Sequence, residues 1–106
     1  EQVRNPRGIW YTPTTGIWQT VWLEPVAAGG IEGLKIVPDV DAGCVRVTVK
    51  ALGQGDATAE LQALDGEKSV ATASGAAGSE IKLPIADARL WSPDSPFLYD
   101  LKVTLK

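Results

Sequence analysis

Aromatic side chains are the residues of this chain best suited to binding chemistry, and they cluster. Three of the four tryptophans, Trp10, Trp18 and Trp22, fall within the first 26 of 106 residues. An exposed aromatic ring presents a flat apolar surface with a polar handle. That surface matches the apolar face of a pyranose, so Trp10, Tyr11 and Trp18 are candidate carbohydrate platforms. Trp91, in "RLWSPDSPF", is open to the same reading. Its packing alternative is a plug over one end of a β domain, held by a loop that Pro93 and Pro96 stiffen. "TTGIWQTVWLEPV", residues 14 to 26, also has a packing reading: a strand buried on both faces.

Covalent and acid–base chemistry find little here. The chain has no histidine, which removes a Ser-His-Asp triad, a Cys-His pair and the commonest zinc sites. Cys44 is alone, so it forms no intrachain disulfide, and it adjoins the strand-like run Val45 to Val49, where a buried structural thiol is expected. "DVDAG", residues 39 to 43, has the alternating carboxylates of half a calcium loop without the further oxygen ligands. It reads as a solvated turn. No catalytic residue, metal-ligand set or cofactor is therefore assigned.

Charge and hydropathy exclude further classes. Ten basic and 13 acidic residues are scattered singly, for a net charge of −3. Without a basic patch to neutralise phosphates, no nucleic-acid partner is expected. No apolar run reaches the roughly 20 residues that span a bilayer, and the first residues show neither the n-region nor the h-region of a secretory signal, which leaves secretion open because the sequence can be a fragment or a mature form. A single cysteine leaves the compartment undecided, with a periplasmic, secreted or cytoplasmic parent all compatible.

The elements that must position these residues are strands. "CVRVTVKAL" points Val45, Val47, Val49 and Ala51 one way and Arg46, Thr48 and Lys50 the other. The same period of two sets Ala57, Ala59, Leu61 and Ala63 against Thr58, Glu60 and Gln62. It aligns Ile81, Leu83 and Ile85, and again Tyr99, Leu101, Val103 and Leu105. Leu34, Ile36 and Val40 share a face in "LKIVPDV". One apolar face at period two marks half-buried antiparallel strands. Val45, Val47, Val49, Leu61, Ile81, Leu83, Tyr99, Leu101 and Val103 form the expected core. Asp65-Gly66 predicts a two-residue type I′ hairpin, while residues 53 to 56 and 74 to 79 read as loops. Pro38 and Pro84 confine their runs to edges or bulges. Helical periodicity is absent. The fold class is all-β: an immunoglobulin-like antiparallel β-sandwich with an N-terminal extra strand.

"AAGG", residues 27 to 30, separates a tryptophan-rich segment from an alternating domain with no tryptophan until Trp91. The two sides resemble consecutive parts of glycoside hydrolase family 2, which includes β-galactosidases, β-glucuronidases and β-mannosidases. Gly16, Ile17, Trp18, Val21 and Leu23 match the "GI(W/F/Y)-x-x-V-x-L" strand that ends the family's jelly roll. Leu90, Trp91, Ser92, Pro93, Pro96, Leu98, Tyr99 and Leu101 match the "LWSP-x-x-P-x-LY-x-L" segment of its sandwich. Gln19 stands where many members carry arginine.

The resemblance implies residues 1–26 as the C-terminal remnant of a jelly-roll, sugar-binding-type domain. Residues 31–106 would be the immunoglobulin-like sandwich, lacking its last strand. It implies a non-catalytic module that spaces the jelly roll against a (β/α)₈ barrel. The family's catalytic glutamate pair belongs to that barrel, which needs on the order of 250 residues. Two alternatives remain: a stand-alone carbohydrate-binding module using exposed tryptophans, and a generic interaction domain. The expected partners are the jelly roll and barrel of a parent glycosidase, and carbohydrate under the binding-module reading. The missing last strand further predicts an open ladder edge along Leu98 to Leu105, which "GIWQTVWLE" would fill within one chain or by exchange in a homodimer.

Overall fold

A computed structural model of the chain describes residues 3–53 and 55–106. Six strands follow in order: β1 (Ile31–Asp39), β2 (Cys44–Ala51), β3 (Thr58–Asp65), β4 (Lys68–Ala76), β5 (Glu80–Pro84) and β6 (Asp100–Leu105). They form two three-stranded antiparallel sheets, β1-β2-β5 and β4-β3-β6. The all-β sandwich is thus the fold that the alternation predicts. Central strands β2 and β3 carry most of the apolar interior, as sheet geometry requires of strands flanked on both sides.

Val47, Val49, Ala59, Leu61, Ala63, Ile81, Leu83 and Ile85 are buried, and no polar or charged residue is buried among the described residues. Each Val, Leu or Ile sealed from water contributes roughly 1.5–3 kcal/mol. Val45, Tyr99, Leu101 and Val103, also expected inside, are half-buried and pack against this cluster. Pro38 lies on β1 and Pro84 ends β5, the two edge strands of their sheet. Neither proline interrupts a central ladder.

Some local expectations shift. The β3–β4 hairpin closes with Asp65 opposite Lys68, so its two loop residues are Gly66 and Glu67 rather than Asp65 and Gly66. Gly66 alone has positive φ (61°), the type II′ pattern rather than I′. A bulge compensates: Ala63 pairs with Ala71 and Leu64 with Ser69, leaving Val70 without an opposite residue. The extra residue returns Ala71 and Ala73 to the inner face.

Residues 74 to 76, expected in a loop, belong to β4. Gly75 is there because the sheets approach closely. A Cβ on Gly75 would lie 2.9 Å from Cγ1 and 3.3 Å from Cδ1 of Ile81. Glycine in a strand interior commonly marks such an approach.

Leu34 and Ile36 are the informative discrepancy. They pair with Val49 and Val47 and so share the inner face of their sheet. Val47 and Val49 are fully buried, yet Leu34 and Ile36 remain 46 % and 49 % exposed. The facing sheet ends at β6 and leaves them uncovered. Val40 does not share their face, because it lies in the β1–β2 turn.

The extra N-terminal strand does not form within this chain. Residues 16–24 have no ladder partner, since neither sheet extends to them. Their apolar side chains are 69–98 % exposed. The radius of gyration, 20.4 Å, reflects this. A compact domain of this length has about 13 Å. Residues 16–24 therefore reach out from the sandwich rather than folding onto it, whereas Gly30 is tied to it by the Leu52 N–H at 2.8 Å.

Candidate functional site

An apolar concavity lies at the end of the sandwich where the β1–β2 turn meets residues 85–99. A local network builds it. Gly43 O accepts from the Ile85 backbone N–H at 3.0 Å, tying the turn to the end of β5. The Tyr99 hydroxyl accepts from the Arg89 backbone N–H at 2.9 Å. A tyrosine at the start of a late strand, bonded back to upstream backbone, is the corner that immunoglobulin-like sandwiches use to turn between sheets. Phe97 meets Tyr99 edge-to-face, with ring centroids 4.7 Å apart and planes at 89°. The Arg89 guanidinium lies 3.2 Å from the centroid of Phe97, a cation–π contact.

"SPDS" folds the loop back through a closed turn. Ser92 and Ser95 exchange backbone hydrogen bonds at 3.0 and 3.1 Å, and Ser92 Oγ accepts a further bond from the Ser95 N–H at 3.0 Å. Pro93 pre-sets φ inside that turn. Asp87 sits at φ 49°, a left-handed conformation that aspartate tolerates better than most residues.

The result is an apolar cleft of about 210 Å³. Pro38, Val45 and Ile85 line its floor, Leu90, Trp91 and Leu98 its rim. Trp91 lines this cleft, but at 57 % exposed it is not a closed plug over the sandwich's end. Half-buried Cys44 is also in the wall, as a free thiol. Asp39 is the acid at the cleft. Its Oδ1 accepts from the Ala42 N–H at 3.1 Å, and its Oδ2 lies 3.4 Å from Arg46. "DVDAG" is thus a turn closed by its first carboxylate. A hydrolytic carboxylate pair needs two acids flanking one bond. The lining of this cleft supplies one, already engaged. What the cleft offers is an apolar surface, with the Arg89 guanidinium already stacked on Phe97.

Trp10, Tyr11 and Trp18 lie elsewhere. Trp10 donates its backbone N–H to Arg7 O at 3.2 Å, and Tyr11 O accepts from Val3 N–H at 3.0 Å, so the first two share a local turn. Trp18 stands on the unpaired stretch. The three are 40 %, 66 % and 87 % exposed, and none lines the cleft. Arg89, Phe97 and Tyr99 come together only in the folded loop, which sequence spacing does not show. The aromatic pair two residues apart in "PFLY" was the available signal.

A polar groove of about 490 Å³ runs over the outer face of β4-β3-β6, between Glu60, Gln62, Thr72, Ser74, Lys102 and Thr104. The Lys106 ammonium binds Glu60 at 2.7 Å at its edge. Polar side chains on the outer face of an antiparallel sheet are the normal solvated complement of a buried inner face.

Two three-stranded antiparallel sheets around an aliphatic core, with a tyrosine corner and an apolar end cleft, define an immunoglobulin-like β-sandwich. Residues 30–106 match the family model of the glycosyl hydrolases family 2, and the chain belongs to that family. The match begins one residue before β1 and spans all six strands. No curated protein matches this chain.

Proposed function

We propose that the chain serves as a non-catalytic sandwich module of a family 2 β-glycosidase of the β-galactosidase kind. Its role is to hold a sugar-binding-type domain in fixed orientation to a catalytic barrel. The observation that carries this reading is where apolar surface remains uncovered. Leu90, Trp91 and Leu98 stand exposed around the end cleft, and Ile17, Trp18, Val21, Trp22 and Leu23 along the N-terminal segment. Contiguous apolar surface of this kind is characteristic of contact with a neighbouring structure. The carboxylates instead occupy strand faces and turns, where Glu32 and Glu60 make exposed ion pairs with Lys50 and Lys106. Such a module acts through rigidity: it holds reactive groups carried elsewhere at working distance.

Titration with a panel of glycans, followed by tryptophan emission, tests the reading. A spacer leaves the emission unchanged, and aryl β-glycosides incubated with the chain are not turned over. The rival is sugar stacking on Trp10, Tyr11 or Trp18. A saturable emission shift abolished by Trp18→Ala would establish that rival and refute the spacer role.

A further inference from the structure

We propose that the outer face of the β1-β2-β5 sheet docks an extended acidic segment of another polypeptide, through a stripe of cations that the register assembles from three strands.

The sequence scatters these cations and the ladders gather them. Lys82 on β5 lies directly opposite Arg46 on β2. Lys35 on β1 pairs with Thr48, which sets it diagonal to Arg46. Gly33 pairs with Lys50, which sets Lys50 diagonal to Lys35. Val47, Val49, Ile81 and Leu83 are buried on the inner face. The residues that alternate with them, and the cross-strand partners of those residues, point outward. Lys82, Arg46, Lys35 and Lys50 therefore run as one line across the outer face.

Like charges opposite one another weaken a sheet, and the acids of this face answer only part of the charge. Glu32 holds the Lys50 ammonium at 2.8 Å. Asp39 Oδ2 lies 3.4 Å from Arg46, while its Oδ1 accepts from the Ala42 N–H. Glu80 stands opposite Thr48. Among the described residues, Lys35 and Lys82 make no ion pair. Arg46 Nε is enclosed and has no acceptor. A guanidinium turned toward an incoming carboxylate gives Nε one, in the two-point geometry that arginine favours.

The stripe also borders a shallow groove of about 430 Å³, lined by Gly33, Lys35, Thr48 and Lys50. Gly33 keeps it open, since no atom lies within 4 Å of where its Cβ would stand.

The spacing fits a polypeptide. Diagonal neighbours on a sheet lie about 7–8 Å apart. Acids at alternate positions of an extended chain stand about 7 Å apart, twice the rise per residue. A nucleic acid fits less well. Its phosphates follow one another without a break, and Glu32, Asp39 and Glu80 interrupt the positive surface. A glycan fits less well too. The register places no aromatic ring on this face, and Thr48 is the one hydroxyl among the residues that line the groove.

The test is an NMR titration of the full chain, labelled with nitrogen-15, using an eight-residue peptide of alternating Glu and Thr at low salt. Saturable shifts are expected at the amides of Lys35, Arg46, Thr48 and Lys82. A peptide with Gln in place of Glu should produce none, and added salt should weaken binding. Lys35→Gln/Lys82→Gln should weaken it roughly three- to tenfold. The same variant should leave the urea midpoint unchanged or raise it, because both lysines face like charge in the free chain. Lys102→Gln, on the other sheet, should bind as the parent chain does. No saturable shift, or shifts confined to other surfaces, overturns the proposal. So does undiminished binding by the double variant. A lower urea midpoint for that variant assigns the two lysines to stability and overturns it too. Tighter binding of a single-stranded oligonucleotide or a polyuronate of equal charge assigns the face to another class of partner and refutes it.

Discussion

Gly75→Ala is a single-methyl test of how the two sheets meet. The added Cβ would lie 2.9 Å from Ile81 Cγ1 and 3.3 Å from Cδ1. Favourable carbon–carbon contact begins at about 3.5 Å, so the methyl intrudes by more than half an ångström. Ile81 cannot yield easily. It is 5 % exposed, its χ1 is held by β-branching, and Cγ1 is the near rather than the far part of the side chain. Overpacking of this kind destabilises by about 1–3 kcal/mol. Loss of glycine's freedom in the unfolded chain offsets about 0.4–1 kcal/mol. The expected net effect is destabilisation by about 1–2 kcal/mol, read as a lower urea midpoint with unchanged slope. Gly33→Ala supplies the control. That glycine is also in a strand, has no positive φ, and meets nothing within 4 Å of its built Cβ. Its replacement should be neutral or slightly stabilising. Equal midpoint shifts for the two variants would refute the close approach of β4 to β5 at this point.

Leu61→Ala should destabilise by about 2–5 kcal/mol because Leu61 is enclosed at the centre of β3. Exposed Lys102→Ala, on the strand beside it, should stay within about 0.5 kcal/mol, and comparison of their denaturation midpoints checks the inward–outward assignment. Tyr99→Phe removes the hydroxyl that accepts from Arg89 N–H while keeping the ring beside Phe97. A loss of about 0.5–1.5 kcal/mol and faster exchange of the Arg89 amide are expected, and an unaltered Arg89 amide would remove the corner from the account.

The sequence by itself determined the class of fold and the family, because both rest on local or short-range signals. Alternation in "VRVTVKA" commits β2 to a pleated strand with one apolar face whatever surrounds it, since successive side chains point oppositely. The prolines at 38 and 84 excluded central positions by lacking an N–H. The motif ending in "PFLY" marked the segment that closes the sandwich, and with it Trp91 at the end cleft. Tertiary structure decided how deeply each apolar residue is buried. Leu34 and Val49 are cross-strand partners on one face, yet only Val49 is sealed, because cover comes from a sheet built of residues distant in the chain. Gly75 reads as loop because "SGAAGS" has a loop's composition, while the reason for a glycine there is the close approach of Ile81, which no local pattern reveals. The hairpin moved by one residue because the Val70 bulge keeps Ala71 and Ala73 on the inner face. Arg89 over Phe97 and the Tyr99 hydroxyl on the Arg89 backbone are spans of eight and ten residues across an irregular loop. "GIWQTVWLE" states the same limit from the other side: its alternation gives it two strand faces, but a strand exists only where another edge accepts its backbone hydrogen bonds, and acceptance is a property of the fold.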